Sequence, residues 1–212
     1  VGTEDSRPLV ENTIESLNND SHWTRKTIKM AVASLTIGSA SSAILLTNEA
    51  NSSTGNRLCT AIAHANTQHH TLCQSGKDEA VADNMKPFMS TDSETLMARG
   101  IETGVSTFDR FLDESNWTPS EIDKTICHQV GSGHRKLMLE SLGLQPEKDF
   151  TTFQWLGNTG SAALPVTWAT AAKENKIESA DNLALLGIGS GINCIILGVE
   201  WNKSVVGTNS IV

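Results

Sequence analysis

The sequence predicts an α/β protein in which helices cover a largely buried sheet. Three observations carry that prediction. Apolar, strand-like runs alternate with segments of helical periodicity along the chain. The runs Leu183–Ile188 and Asn193–Val199 are apolar at successive positions, as expected of strands buried on both faces. Charged residues make up 19% and hydrophobic residues 38% of the 212 residues, a balance that supports a packed core and excludes a disordered acidic chain.

The elements are expected in the following order. Residues 1–25 read as the end of a strand or a site loop. Ile28–Thr47 reads as two short strands around Gly38-Ser39, both rich in small residues. Residues 48–57 are a polar loop by composition, Leu58–Ala65 is a strand, and residues 66–84 are polar and irregular. Thr91–Ser115 is the strongest helix. Leu96, Ile101, Val105, Phe108 and Leu112 recur at spacings that make one apolar stripe, and Thr91 with Glu94 can form a capping box. A helix-start pattern at 117–121 precedes a brief strand, Thr125–His128. Ser132–Leu142 is a helix closed by Gly143. Phe150–Gln154 is extended and Gly157–Gly160 is a tight loop. Ser161–Asn175 is an Ala-rich helix that tolerates Pro165 in its first turn. The strands Leu183–Ile188 and Asn193–Val199 then pair across a Gly-Ser-Gly turn.

Charge and cysteine usage exclude several function classes. Lys plus Arg number 16 against 24 for Asp plus Glu, a net charge of −8. A nucleic-acid binder needs a basic face, so that class is disfavoured. No run of roughly 18 apolar residues is present, so no membrane-spanning helix is expected. The four cysteines, Cys59, Cys73, Cys127 and Cys194, are irregularly spaced. They read as buried thiols in a reducing, cytoplasmic compartment, not as a disulfide framework.

Three motifs can carry chemistry. In I-C-H-Q-V-G-S-G (126–133), His128 sits where a buried strand ends and a Gly-rich turn leads into a helix. Ligand and catalytic groups of α/β sheets collect at such strand ends, and imidazole can give or take a proton near neutral pH. A structural histidine bonded to backbone is the commoner role for such a residue taken alone. In L-G-N-T-G-S-A-A-L-P (156–165), the amide of Asn158 can donate to a developing oxyanion. A turn or cap asparagine is the plainer alternative. The run L-G-I-G-S-G-I-N (186–193) invites a dinucleotide reading and fails it, because the third glycine is displaced and a strand follows instead of a helix. Its glycines better suit close approach of backbone N–H groups to a reacting oxygen. His64, His69, His70 and Cys73 lack a second ligand pair, so no metal is expected. His22 and His134 read as surface residues, and no cofactor is called for.

Taken together and in this order, the three motifs resemble the condensing enzymes of the thiolase superfamily. Ketoacyl-ACP synthase III enzymes carry an H-Q-A-N element and a G-N-T-S-A-A-S-I-P element at about the separation of His128 and Asn158. The stretch W-T-P-S-E-I-D-K before the His128 strand also resembles that family, and G-T-E-D-S-R-P-L-V-E, S-L-T-I-G-S, and L-G-I-G-S-G-I-N-C with V-E-W are similar to the OleA-type branch. That branch condenses two fatty acyl-CoA molecules head to head in bacterial long-chain olefin biosynthesis. The resemblance spans essentially the whole chain. It implies a homodimeric, five-layer αβαβα fold of two similar halves acting on acyl-CoA or acyl-ACP. It also implies that His128 and Asn158 stabilise the thioester oxygen and the carbanion of the second acyl group. Ser190 falls in the turn whose backbone N–H helps form the oxyanion hole.

One feature departs from the resemblance. The family's nucleophile is a cysteine at the N-terminus of a buried helix in the first half, and none of the four cysteines matches it. The expectation is therefore a C-terminal portion. Residues 1–48 would be the tail of the N-terminal half, and residues 49–212 the C-terminal half carrying His128 and Asn158. The nucleophile would come from a separate N-terminal segment. The alternatives are a ketoacyl-ACP synthase III of fatty-acid initiation and a non-catalytic partner subunit of the same fold.

Overall fold

The computed structural model describes residues 1–75, 89–128 and 130–207. A short strand, β1 (Gly2–Glu4), leads into helices α1 (Arg7–Asn19) and α2 (Arg25–Ala31). The chain returns as β2 (Ala40–Ser42), antiparallel to β1. Next come β3 (Arg57–Ala65) and a separate two-stranded ladder of β4 (Cys73–Ser75) and β5 (Met89–Thr91). The remaining elements are α3 (Ser93–Ser115), β6 (Lys124–Cys127), α4 (Ser132–Ser141), the single turn α5 (Phe153–Leu156), α6 (Ala163–Lys173), β7 (Asn182–Gly189) and β8 (Asn193–Glu200). The main sheet has the order β3-β8-β7-β6. β6 and β7 run parallel, whereas β8 is antiparallel to both β7 and β3. The parallel pair requires a crossover, and α4 to α6 supply it.

Each face of this sheet has its own core. On one face, Phe108 and Phe111 of α3 and Met138 and Leu139 of α4 meet Cys127, Ala184, Leu186, Cys194 and Ile196. On the other, Ala171 and Ala172 of α6 meet Ile126, Leu183, Leu185 and Val199, with Trp201 beyond the last strand. Successive residues of β7 thus go into opposite cores, which is why Leu183–Leu186 are all buried. Phe111 lies edge-on to Trp117 with centroids 5.8 Å apart. Gly198 lies tightly beneath them: a Cβ there would stand 3.1 Å from the Phe111 ring, which would have to give by a few tenths of an ångström.

The α/β layering agrees with the sequence, and several local elements differ. Residues 28–35 are helical, because Thr24 and Thr27 form a reciprocal capping box that starts α2 and a 3₁₀ turn extends it. Of the two strands expected there, only β2 forms. α1 replaces the expected loop; Leu9, Val10, Thr13, Ile14 and Leu17 have helical spacing, and Pro8 sits in the first turn where its missing N–H costs nothing. α3 is capped by Asp92, whose side chain accepts from the Thr95 N–H at 3.2 Å, so the Thr91–Glu94 box does not form. Its buried face is Gly100, Thr103, Gly104, Thr107, Phe108 and Phe111, offset from the expected stripe. Residues 153–156 form a helical turn where extended backbone was expected. The part of the expected irregular segment from 76 to 84 lies outside the described residues, as does Gln129 of the H-Q motif.

Candidate active site

His128 stands at the carboxyl end of the sheet. Cys127 pairs with Leu186 in the parallel ladder, and the His128 N–H donates to the Leu186 carbonyl at 2.8 Å. The backbone of His128 is therefore an extension of β6. Its side chain borders a small cavity of about 20 Å³, together with His134, Arg135, Cys127, Met138, Gly187, Ile188 and Cys194. That space suits one water molecule. Burial, with a second contribution from His134, lowers the His128 imidazole from 6.5 to about 4. At neutral pH the ring is therefore uncharged, with one nitrogen donating and the other accepting.

His134 corrects its reading as a surface residue. It is half-buried on the first turn of α4, it lines the same cavity, and burial lowers its imidazole. Its neighbour Arg135, itself half-buried, makes an ion pair with the buried Asp149, with Nε donating to Oδ2 at 2.6 Å. Arg135 Nη2 donates to the carbonyls of Pro146 and Asp149. The other Asp149 oxygen accepts from Thr125 Oγ1 at 3.0 Å and from the Cys127 N–H at 3.1 Å. Burial raises the Asp149 carboxyl despite these partners. The sequence holds a signal for all of this: His134 and Arg135 lie four residues before Met138 and Leu139, both in the core, so they begin the same inward faces.

The thiols near His128 are poor nucleophile candidates. Burial and the adjacent Asp149 carboxylate push the Cys127 thiol well above its ordinary value, and burial raises Cys194. A thiol so raised carries little thiolate near neutral pH. Cys59 lies exposed on β3 and donates to the Gly198 carbonyl, and Cys73 is half-buried on β4, so the expectation of buried thiols fails for these two. No disulfide forms among the described residues.

Asn158 occupies a loop pinned from three sides. Its N–H donates to the Thr36 carbonyl at 3.0 Å, and its carbonyl accepts from the Gly38 N–H at 2.8 Å. Its side-chain Oδ1 accepts from the Gly160 N–H, and Glu4 accepts from both the N–H and hydroxyl of Ser161. With Oδ1 thus held, Nδ2 is the group left to donate outward. The loop leads into α6, and Leu164 of that helix lies 3.7 Å from where a Gly187 Cβ would stand. Both segments therefore end at the carboxyl edge of the sheet, although Asn158 is outside the lining of the His128 cavity. Ser190 is exposed at the tip of the β7–β8 turn, its carbonyl accepting from Asn193 Nδ2 at 2.9 Å.

Known proteins resemble this chain in sequence and fold. Residues 112–201, from the end of α3 through β8, match the family described as 3-oxoacyl-[acyl-carrier-protein (ACP)] synthase III C terminal. The acyl-CoA:acyl-CoA alkyltransferase of Shewanella oneidensis is 40% identical over 204 residues, covering 95% of this chain and 58% of that protein. Along nearly all of its length the chain is thus similar to thiolase-like condensing enzymes of the ketoacyl-ACP synthase III type. Among solved members, a cysteine-to-serine variant of Xanthomonas campestris OleA with bound lauric acid and lauroyl-CoA superposes with a TM-score of 0.81. It is 26% identical, over 94% of this chain and 56% of that one. The Staphylococcus aureus β-ketoacyl-[acyl-carrier-protein] synthase III is a more partial match, 29% identical over 94 residues, or 44% of this chain and 30% of that enzyme. The chain spans about half the length of the OleA-type condensing enzymes it matches along its whole length.

No helix among the described residues is long and apolar enough to cross a membrane. His69 and Cys73 fall on a 3₁₀ turn and at the start of β4, and no group of three metal-binding side chains forms among the described residues.

Proposed function

We propose that this chain is the C-terminal portion of a condensing enzyme that joins two fatty acyl-CoA molecules. Residues 1–48 complete an N-terminal half whose remaining segment supplies the cysteine nucleophile, and residues 49–212 carry His128 and Asn158. The observation that carries the proposal is the neutral, half-buried imidazole of His128 at the carboxyl end of β6, at the sheet edge to which the Asn158 loop also leads. In a Claisen condensation, the thiolate first takes one acyl group from its carrier. A base on the segment that bears the cysteine takes a proton from the α carbon of the second acyl thioester, and the resulting carbanion attacks the enzyme-bound carbonyl. A new carbon–carbon bond forms and the thiolate leaves. Negative charge collects on the oxygen of the second thioester, where the His128 N–H and Asn158 Nδ2 donate. The backbone at Ser190 contributes to the oxyanion hole of the first step.

Likeness to the alkyltransferase over 95% of this chain, against 44% for the synthase III, favours acyl-CoA over acyl-ACP as the second carrier. A dimeric assembly in the cytoplasm, feeding long-chain olefin or fatty-acid synthesis, belongs to the same proposal.

The test uses the chain assembled with the segment that bears the cysteine. His128→Ala should lower carbon–carbon bond formation about 10²–10³-fold, the usual effect of losing one oxyanion donor, while the acyl-cysteine still accumulates by mass spectrometry. Equal loss of both steps would assign His128 to activation of the nucleophile. Wild-type condensation would remove it from the mechanism.

A further inference from the structure

We infer that the Arg135–Asp149 ion pair is a positioning device for His128, fixing where its imidazole stands by bolting α4 and the 146–149 turn to the end of β6. This rests on the reading of His128 as the imidazole of a condensing site. Three observations support it. First, the Asp149 side chain is fully buried, and Oδ1 takes the Thr125 hydroxyl and the Cys127 N–H, so it grips the strand immediately before His128. Second, Arg135 holds three acceptors at once: the carboxylate through Nε, and the Pro146 and Asp149 carbonyls through Nη2. Only a planar fork meets that geometry, and a lysine ammonium does not. Third, Arg135 follows His134 on the turn of α4 that walls the His128 cavity.

Stability alone is a poor account of such a pair. The Asp149 carboxylate is wholly buried and the Arg135 side chain 26% exposed, so burying the carboxylate costs free energy that the attraction must offset, and apolar residues of similar volume often stabilise as well or better. A fixed geometry beside a reacting group is what the pair adds. The clamp holds α4 against β6, keeps the cavity small, and so limits the access of water to His128.

The test is an NMR titration of His128 in the 212-residue chain, comparing wild type with Asp149→Asn. The charged and titratable groups around the ring are His134 and Arg135 from α4, Cys127 on β6, Cys194 on β8 and Asp149 behind β6. β7 and α3 contribute only uncharged residues, Leu186, Gly187, Ile188 and Gly104. Removing the Asp149 charge by itself takes away support for imidazolium and would lower His128 further. Loss of positioning does the reverse: the turn loosens, water reaches the ring, and His128 rises by about one unit or more toward 6.5. A His128 that is unchanged or lowered overturns the inference. If Asp149→Asn loses cooperative melting, Arg135→Lys replaces it, keeping the charge and removing the fork; the same rise is expected and the same null result overturns.

In the assembled enzyme, either clamp variant should lower kcat for condensation about tenfold while leaving KM for acyl-CoA within about twofold, as for loss of a transition-state interaction. Changes confined to KM would overturn the positioning role. If His128→Ala condenses normally while the titration moves as expected, the clamp stands and the condensing reading falls. If His128→Ala fails to condense and the titration does not move, the condensing reading stands and the clamp falls.

Discussion

The chemistry of His128 is set by what surrounds it. Its folded value of about 4 lies below the 6.5 of an unfolded histidine, so the unfolded chain binds a proton first as pH falls. Stability from this residue is therefore complete above about pH 6.5, declines as pH drops, and reaches its floor near pH 4. The loss is on the order of 1–3 kcal/mol for a half-buried ring. His134, lowered by burial, acts in the same direction. Asp149 opposes them at the acid end: its raised carboxyl takes a proton before its unfolded counterpart does, which adds stability as pH falls through that range. Urea midpoints should therefore fall between pH 7 and pH 5, and His128→Ala should flatten the slope. An identical slope in the variant would show that burial of His128 is not what makes the chain acid-sensitive.

At the scale of elements, the Asn158 loop depends on a close approach between two backbones. A Cβ on Gly38 would lie 1.7 Å from the Leu156 carbonyl oxygen, and Gly157 has φ of +68°. Gly38→Ala must push residues 36–38 away from 156–158 and break the two backbone hydrogen bonds that hold Asn158. Overpacking of this kind costs about 3 kcal/mol. A denaturation midpoint equal to wild type would show that the two segments do not meet as described. In the assembled enzyme the same change should depress condensation, since Asn158 moves with its loop. The β1–β2 ladder and Glu4 brace the same loop from the other side. Residues 1–42 thus contribute directly to the geometry of a site whose His128 lies far along the chain.

At the scale of the molecule, the sheet is covered on both faces, whereas the first 46 residues keep several large apolar side chains exposed. Ile28, Val32, Leu35, Ile44, Leu45 and Leu46 are between 41% and 90% exposed, Leu45 the most. Large exposed apolar surface drives association. Sedimentation of the isolated chain should show self-association that rises with concentration. Leu45→Lys with Leu46→Lys should shift it toward monomer. A monodisperse wild-type monomer at high concentration would contradict this.

Periodicity and composition made much of this architecture legible. The apolar runs of β7 and β8, the stripe of α3 and the Gly143 stop after α4 are local signals: each depends on residues a few positions apart. His128, Asn158 and the Gly-rich turn at 187–191 were recognisable because their order and spacing are a property of the chain itself. Helices α1 and α2 were missed although their signals were present, since short stretches of mixed apolar and small residues serve either a strand or a helix until a cap decides. Burial of His134, the joining of Arg135 to Asp149 and of Asp149 to the strand before His128, and the pinning of Asn158 by Gly38 and Thr36, with Glu4 holding Ser161, arise only when distant segments pack. Hydrogen-bond partners across 14 to 157 positions leave no trace in local pattern. The sequence by itself therefore marked which groups are candidates for the chemistry, and the tertiary structure decided their protonation and their place, because desolvation and partner geometry exist only in the folded chain.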